Sequence, residues 1–288
     1  MKWTPGGESE DIEDRRDSSG GGGGFGGSGI GGIHLGLGGT VIVLILSIVF
    51  KTNLFTLFSG APVGTPAASS STADTAKDAS EATEVKFVSF VLDDAQKTWT
   101  KLLPDSGAQY RHAKLVLFRD STPSACGQAE SATGPFYCPG DEKVYIDLGF
   151  FQELKTRFGA PGEFAQAYVI AHELGHHVQK ILGIEDKARG LTNRGNANAI
   201  SVKMELQADC FAGVWAKATE QRDLIDQSDI KAALGAAAAV GDDRLQKMAS
   251  GHVSPETFTH GSSADRMKWF QQGLDGGSVS SCNTFAAQ

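Results

Sequence analysis

Residues 169–179, VIAHELGHHVQ, place three of the chain's seven histidines and a glutamate within six positions. The stretch lies inside GAPGEFAQAYVIAHELGHHVQKILG, residues 159–183, where Pro161 suits a first helical turn and Gly183 a left-handed helix end. The spacing predicts one helix between them. On a helix His172 and His176, four positions apart, project from one face a turn apart and can hold one metal ion. Glu173 points about a hundred degrees round, beside the ion's open position. This is the H-E-x-x-H arrangement, in which two imidazoles bind zinc and the glutamate takes a proton from water. His177 is offset from that face and is expected at the surface or in a second layer. The motif is short, so the surrounding sequence has to decide between a metal site and a crowded polar helix.

A zinc site of this type takes a third protein ligand and leaves a fourth position open. Residues 203–216, KMELQADCFAGVWA, supply Glu205 and Asp209, again four apart, within a predicted helix of about residues 198–219. Glu205 offers a carboxylate to the metal, and Asp209 can accept a hydrogen bond from a ligand histidine and fix its tautomer. Ala208, Ala212 and Gly213 are small enough to let this helix approach the first, where Gly175 is small too. The competing reading is an ordinary solvated pair of acids.

Outward from these helices, the 288 residues are unevenly composed, with 40% hydrophobic, 21% charged and 36 glycines. Residues 1–33 hold six acidic and three basic side chains and then a glycine run, which reads as a disordered tail. Leu35–Phe50 has no ionisable residue, and an apolar patch follows Lys51. Residues 34–58 are therefore expected to form a single transmembrane anchor, because they can cross about 30 Å of hydrocarbon as a helix. A cleaved signal peptide is the rival, but more than thirty residues precede the run. Lys2, Arg15 and Arg16 before it, against Lys51 after it, place the N-terminus in the cytoplasm. The expected location is the bacterial inner membrane, single-pass, with the remaining domain extracytoplasmic. Residues 59–83, rich in Ala, Ser, Thr and Pro, read as a flexible linker.

Residues 84–288 are ample for one domain. Their 21 basic and 25 acidic side chains leave no basic stripe for nucleic acid. All four cysteines, Cys126, Cys138, Cys210 and Cys282, lie here without a C-x-x-C pair, which argues against a thiolate zinc knuckle and for disulfides outside the cytoplasm. Three pairings are possible. The short loop between Cys126 and Cys138 favours that pair, leaving Cys210 with Cys282. A helix of about 87–103, strands in AKLVLFRD and KVYIDLGF, a hairpin through YCPGDEKVYI and short C-terminal helices complete the reading.

Taken in order, MKWTPGGESEDIEDRR, the glycine run and apolar segment, PSACG, GPFYCPGDEKVYIDLGFF, AHELGHHVQ, ELQADCFAGVWA and FTHGSSADRMKWFQQG resemble the bacterial neutral zinc metallopeptidase family, the YpfJ-like proteins, over nearly the whole chain. HELGH followed by ELQAD is similar to the gluzincin pattern. The resemblance implies an α+β, zincin-like metallopeptidase domain behind a membrane anchor, one zinc ion per chain, and a protein or peptide substrate. THGSSADR is similar to the T-H-P-x-x-x-x-R string of membrane-bound gluzincins. It implies that His260 stabilises the oxyanion and that Arg266 supports the site, although Gly261 stands where those proteins have proline. Against this, His260 is read as a helix cap and Arg266 as the partner of a nearby acid.

The expected function is zinc-dependent hydrolysis of peptide bonds, with zinc on His172, His176 and Glu205, Glu173 as general base and His260 as oxyanion donor. A zinc-stabilised envelope scaffold without proteolysis is the alternative, and a metal-free disulfide domain is a third reading. Retention of Glu173 favours the enzyme, since a structural ion needs no general base.

Overall fold

The computed structural model describes residues 1–17, 71–193 and 195–286, with the backbone alone for 71–80. Four short strands make one sheet: β1 (Ile12–Asp14), β2 (Lys114–Phe118), β5 (Phe136–Cys138) and β6 (Lys143–Asp147), with β3 (Ser121–Ser124) and β4 (Gly127–Glu130) forming a separate hairpin. The sheet order is β1-β2-β6-β5, with β1, β2 and β6 parallel and β5 antiparallel at the edge. Period-two alternation explains its two faces. Leu115, Leu117, Val144 and Ile146 join the main core, whereas Val116, Phe118 and Tyr145 pack with Ala129 and Cys138 in a smaller cluster.

Eight helices lie among the described residues: α1 (Ser71–Leu102), α2 (Gly149–Thr156), α3 (Glu163–Ile181), α4 (Ile184–Leu191), α5 (Ala197–Glu220), α6 (Gln227–Ala239), α7 (Asp242–Ser250) and α8 (Ser263–Gly276). The fold is therefore α+β, as the sequence predicts. The helix predicted from Pro161 opens two residues later, and Gly183, at φ 67°, gives the left-handed conformation that follows its end. Helix α3 packs against α1, α5 and α6. A second core cluster gathers Trp99, Val178, Phe211 and Val214 about the Cys210–Cys282 disulfide. The other disulfide, Cys126–Cys138, ties the β3–β4 hairpin to edge strand β5.

Close approach of helices, rather than side-chain interdigitation, sets the centre of the molecule. A Cβ on Gly175 of α3 would lie 2.9 Å from the Ala208 carbonyl of α5. Where α5 crosses α8, a Cβ on Gly213 would fall 2.0 Å from the Phe270 carbonyl, and one on Gly273 1.9 Å from that of Cys210. Any larger residue at these crossings forces the helices apart.

Two expectations from composition are corrected. The segment read as a disordered tail, residues 1–33, is folded over residues 1–17. There β1 pairs Ile12 with Leu115 and Asp14 with Leu117, and Trp3 meets Phe87 edge-on at 5.3 Å. A three-residue, charge-rich edge strand has no apolar periodicity to reveal it, so its partners determine its structure. The segment read as a linker, residues 59–83, is helical from Ser71 onward. Alanines at 73, 76, 79 and 82 supply the propensity, and Glu81 anchors the turn through Arg16 and Arg119. The expected anchor, residues 34–58, lies outside the described residues, as do 18–33 and 59–70. Among the described residues no helix is long and apolar enough to cross a membrane.

Candidate metal centre

Helix α3 presents His172 and His176 one turn apart, with ring centroids 4.9 Å apart and planes perpendicular. Helix α5 brings Glu205 to the same point, and one donor atom from each of the three residues lies within 4.8 Å of the others. A tetrahedral ion about 2.0–2.1 Å from nitrogen and oxygen donors holds those donors about 3.4 Å apart. Here His172 Nε2 is 3.2 Å from Glu205 Oε2, and His176 Nε2 is 3.5 Å from Glu205 Oε1. Two imidazoles and a carboxylate at this spacing fit zinc.

The other ring nitrogens are held by the protein. His172 Nδ1 lies 2.9 Å from Asp209 Oδ1, and His176 Nδ1 lies 2.9 Å from Gln179 Oε1. The Gln179 amide in turn donates to the Met204 carbonyl and to Gln207. Each ligand ring is thus oriented from behind, which leaves its Nε2 for the metal.

Asp209 is fully buried and belongs to a charged cluster. Arg266 of α8 donates Nε to Asp209 Oδ2 at 2.9 Å and Nη2 to Oδ1 at 3.0 Å, and Tyr168 donates its hydroxyl to Oδ1. Arg266 is itself only 4% exposed. Burial works against the Asp209 charge, but Arg266 and His172 outweigh it and hold the carboxyl below its ordinary pKa. Burial likewise opposes a charge on His172, yet Asp209 and Glu205 raise it to about 10. The Glu205 carboxyl is lowered in spite of its burial by His176 and His172. Glu173, by contrast, has its pKa raised by burial, only partly offset by the two histidines. It is the one carboxyl of the group biased toward holding a proton.

His260 lies on the loop before α8. Gly261 of that loop rests on Leu206 and Val202 of α5, beside the turn that carries Glu205. Asp242, the first residue of α7 and 2% exposed, holds the loop: its Oδ2 accepts the backbone N–H groups of Thr259, His260 and Gly261 at 2.7, 2.6 and 3.0 Å. Its Oδ1 lies 3.3 Å from His260 Nδ1. Burial would lower the His260 pKa, but Asp242 and Glu205 raise it. The helix cap is Ser262, which accepts from Asp265 N, so capping does not account for His260. Asp242 escaped the sequence reading because an acid at a helix start is ordinary capping chemistry. The only signal was its pairing with Asp243 ahead of a short helix.

His177, expected at the surface or in a second layer, is fully buried. Its Nδ1 meets the Tyr137 hydroxyl at 3.0 Å and its Nε2 the Arg111 carbonyl at 2.7 Å, which fastens edge strand β5 to the helix bearing the motif.

An H-E-x-x-H helix, a glutamate from a second helix and an aspartate behind the first histidine form a cluster that could hold a metal ion. The chain belongs to the family described as "Putative neutral zinc metallopeptidase", whose model matches residues 1–285. It is 43% identical over 292 residues to "Uncharacterized protein YpfJ" of Escherichia coli (strain K12), covering 99% of each chain. It is 45% identical over 200 residues to "Uncharacterized protein Mb2605" of Mycobacterium bovis, covering 66% of each. No solved structure matches.

Proposed function

We propose that the chain is a zinc-dependent endopeptidase that hydrolyses peptide bonds in extended protein segments outside the cytoplasm, held at the membrane by the apolar run 34–58. The observation that carries the reading is the convergence of His172, His176 and Glu205 beside the buried Glu173. His172, His176 and Glu205 would hold the zinc, which would supply Lewis acidity to a scissile carbonyl and to water.

Glu173 takes the proton from the attacking water and returns it to the leaving amine. His260, set by Asp242, donates to the oxygen that becomes negative as the carbonyl is attacked. Asp209 and Arg266 act through His172, keeping its ring in register. Among the described residues strand β5 pairs only with β6, and it is fastened to α3 through Tyr137 and His177, so its other edge is the place for a substrate strand. The two disulfides support an oxidising compartment.

The test compares wild type with Glu173→Gln for zinc content and cleavage of a denatured protein. Cleavage lost with zinc retained is expected. Equal cleavage by both proteins rejects Glu173 as the base, and no cleavage by either over a broad substrate set leaves a zinc-stabilised scaffold as the better reading.

A further inference from the structure

The N-terminal arm, residues 1–17, is part of the metallopeptidase fold. Strand β1 extends the central sheet, Arg15 N donates to the Leu117 carbonyl at 2.8 Å, and Lys2 N donates to the Leu224 carbonyl at 2.7 Å. Trp3 packs on Phe87 and donates its indole N–H to Glu163 at 3.1 Å. Ion pairs join Glu13 to Lys143 at 2.6 Å and Arg16 to Glu81 at 2.9 Å, and Gln96 donates to Asp11 at 2.7 Å. The arm thus touches β2, β6, α1, α3 and the turn after α5. The family model also runs through arm and domain together.

Paired strands lie about 4.8 Å apart, whereas the two faces of a bilayer are separated by about 30 Å of hydrocarbon. Residues 1–17 and the metallopeptidase domain cannot make these contacts from opposite sides of a membrane. We infer that the arm and the domain occupy the same compartment rather than opposite faces of a membrane. This inference replaces the single-pass orientation expected from the flanking basic residues.

Sequence length supports the same conclusion. Two helical crossings take about 40 apolar residues. Between the arm and α1 the apolar stretch is confined to Ile33–Phe58 and is interrupted by Lys51 and Asn53. That is too short to go out and return. An arm exchanged with a second copy in the same membrane has the same orientation, so exchange does not relax the constraint.

The test uses the full chain in the membranes of intact bacteria. No cysteine among the described residues is free, so single introduced thiols report their own side. Glu8→Cys marks the exposed arm and Lys155→Cys the exposed end of α2. Each variant is treated with a maleimide that cannot pass the inner membrane, before and after permeabilisation. The expected result is the same labelling pattern at both sites. Both labelled in intact cells places the whole fold outside the cytoplasm, and both protected until permeabilisation keeps arm and domain together but on the inside. Opposite patterns at the two sites overturn the inference. They leave the zinc-peptidase reading intact, since that is judged by metal content and cleavage.

Discussion

The same kinds of contact hold two regions of this molecule, and their surroundings make them different. Around the candidate metal centre, Asp209, Arg266, Tyr168 and His172 form a charged network with Asp209 fully buried and Arg266 4% exposed. Along the N-terminal arm, Glu13–Lys143, Arg15–Glu13 and Lys114–Asp11 are also ion pairs, but solvent reaches most of their members. In the buried network each charge depends on the others, because a lone charge out of water costs several kcal/mol. On the arm these exposed pairs contribute little, and the strand register, Trp3 and the more buried Arg16–Glu81 pair do most of the holding. One region should fail as a unit and the other by small steps.

The sharpest way to break the contrast is Arg266→Met. It removes the main counter-charge of the buried Asp209, leaving His172 and the Tyr168 hydroxyl beside it, and should lower unfolding free energy by about 3–5 kcal/mol, as read by chemical denaturation. A loss below about 1 kcal/mol would place this network with the arm's surface pairs. Next comes Asp242→Asn, which keeps the shape of the loop cradle but removes the charged acceptor facing His260 Nδ1, leaving the Thr259 hydroxyl at 3.0 Å. We expect kcat to fall about 10- to 100-fold while KM, zinc content and Tm change little. An equal drop in stability and activity would instead make Asp242 a structural residue.

On the arm, Trp3→Ala should cost about 1–2 kcal/mol, since the ring is half-buried, and should make residues 1–17 the first site of limited proteolysis. Unchanged proteolysis would show that the strand pairing suffices without the indole. The smallest effect concerns Glu84, half-buried near the Arg16–Glu81 pair, whose pKa is raised to about 7 by burial and by Glu81. The folded state holds this proton more tightly than the unfolded chain. Its contribution is therefore full below about pH 4.5, is lost as pH rises through about 7, and is constant above. Glu84→Gln should remove that slope, by less than about 1 kcal/mol given its exposure, in melts run across pH 4–8.

Legibility followed the range of the interactions. The α3 motif was readable because helix periodicity alone puts His172, Glu173 and His176 where they are. The β5–β6 hairpin was readable from its Pro-Gly-Asp turn, but its edge position was not, since sheet order depends on β1 and β2. The arm was misread because its charge-rich strand lacks apolar periodicity and runs into a glycine stretch, and the early turns of α1 because their alanine and serine content resembles unstructured chain when the partners are unseen.

What the sequence by itself determined is the chemistry within one or two helical turns: the donor set on α3, the i, i+4 acids on α5, and an even cysteine count. Tertiary structure decided what meets what. Gly175 opposite Ala208 lets α5 bring Glu205 to the histidines, and Gly213 opposite Gly273 lets α8 bring Arg266 to Asp209 across 57 positions. Asp242 holds His260 from a helix start 18 positions earlier. Periodicity fixes direction only along a single element, and the distance between elements is set by how closely their backbones can approach, which three-dimensional packing alone resolves.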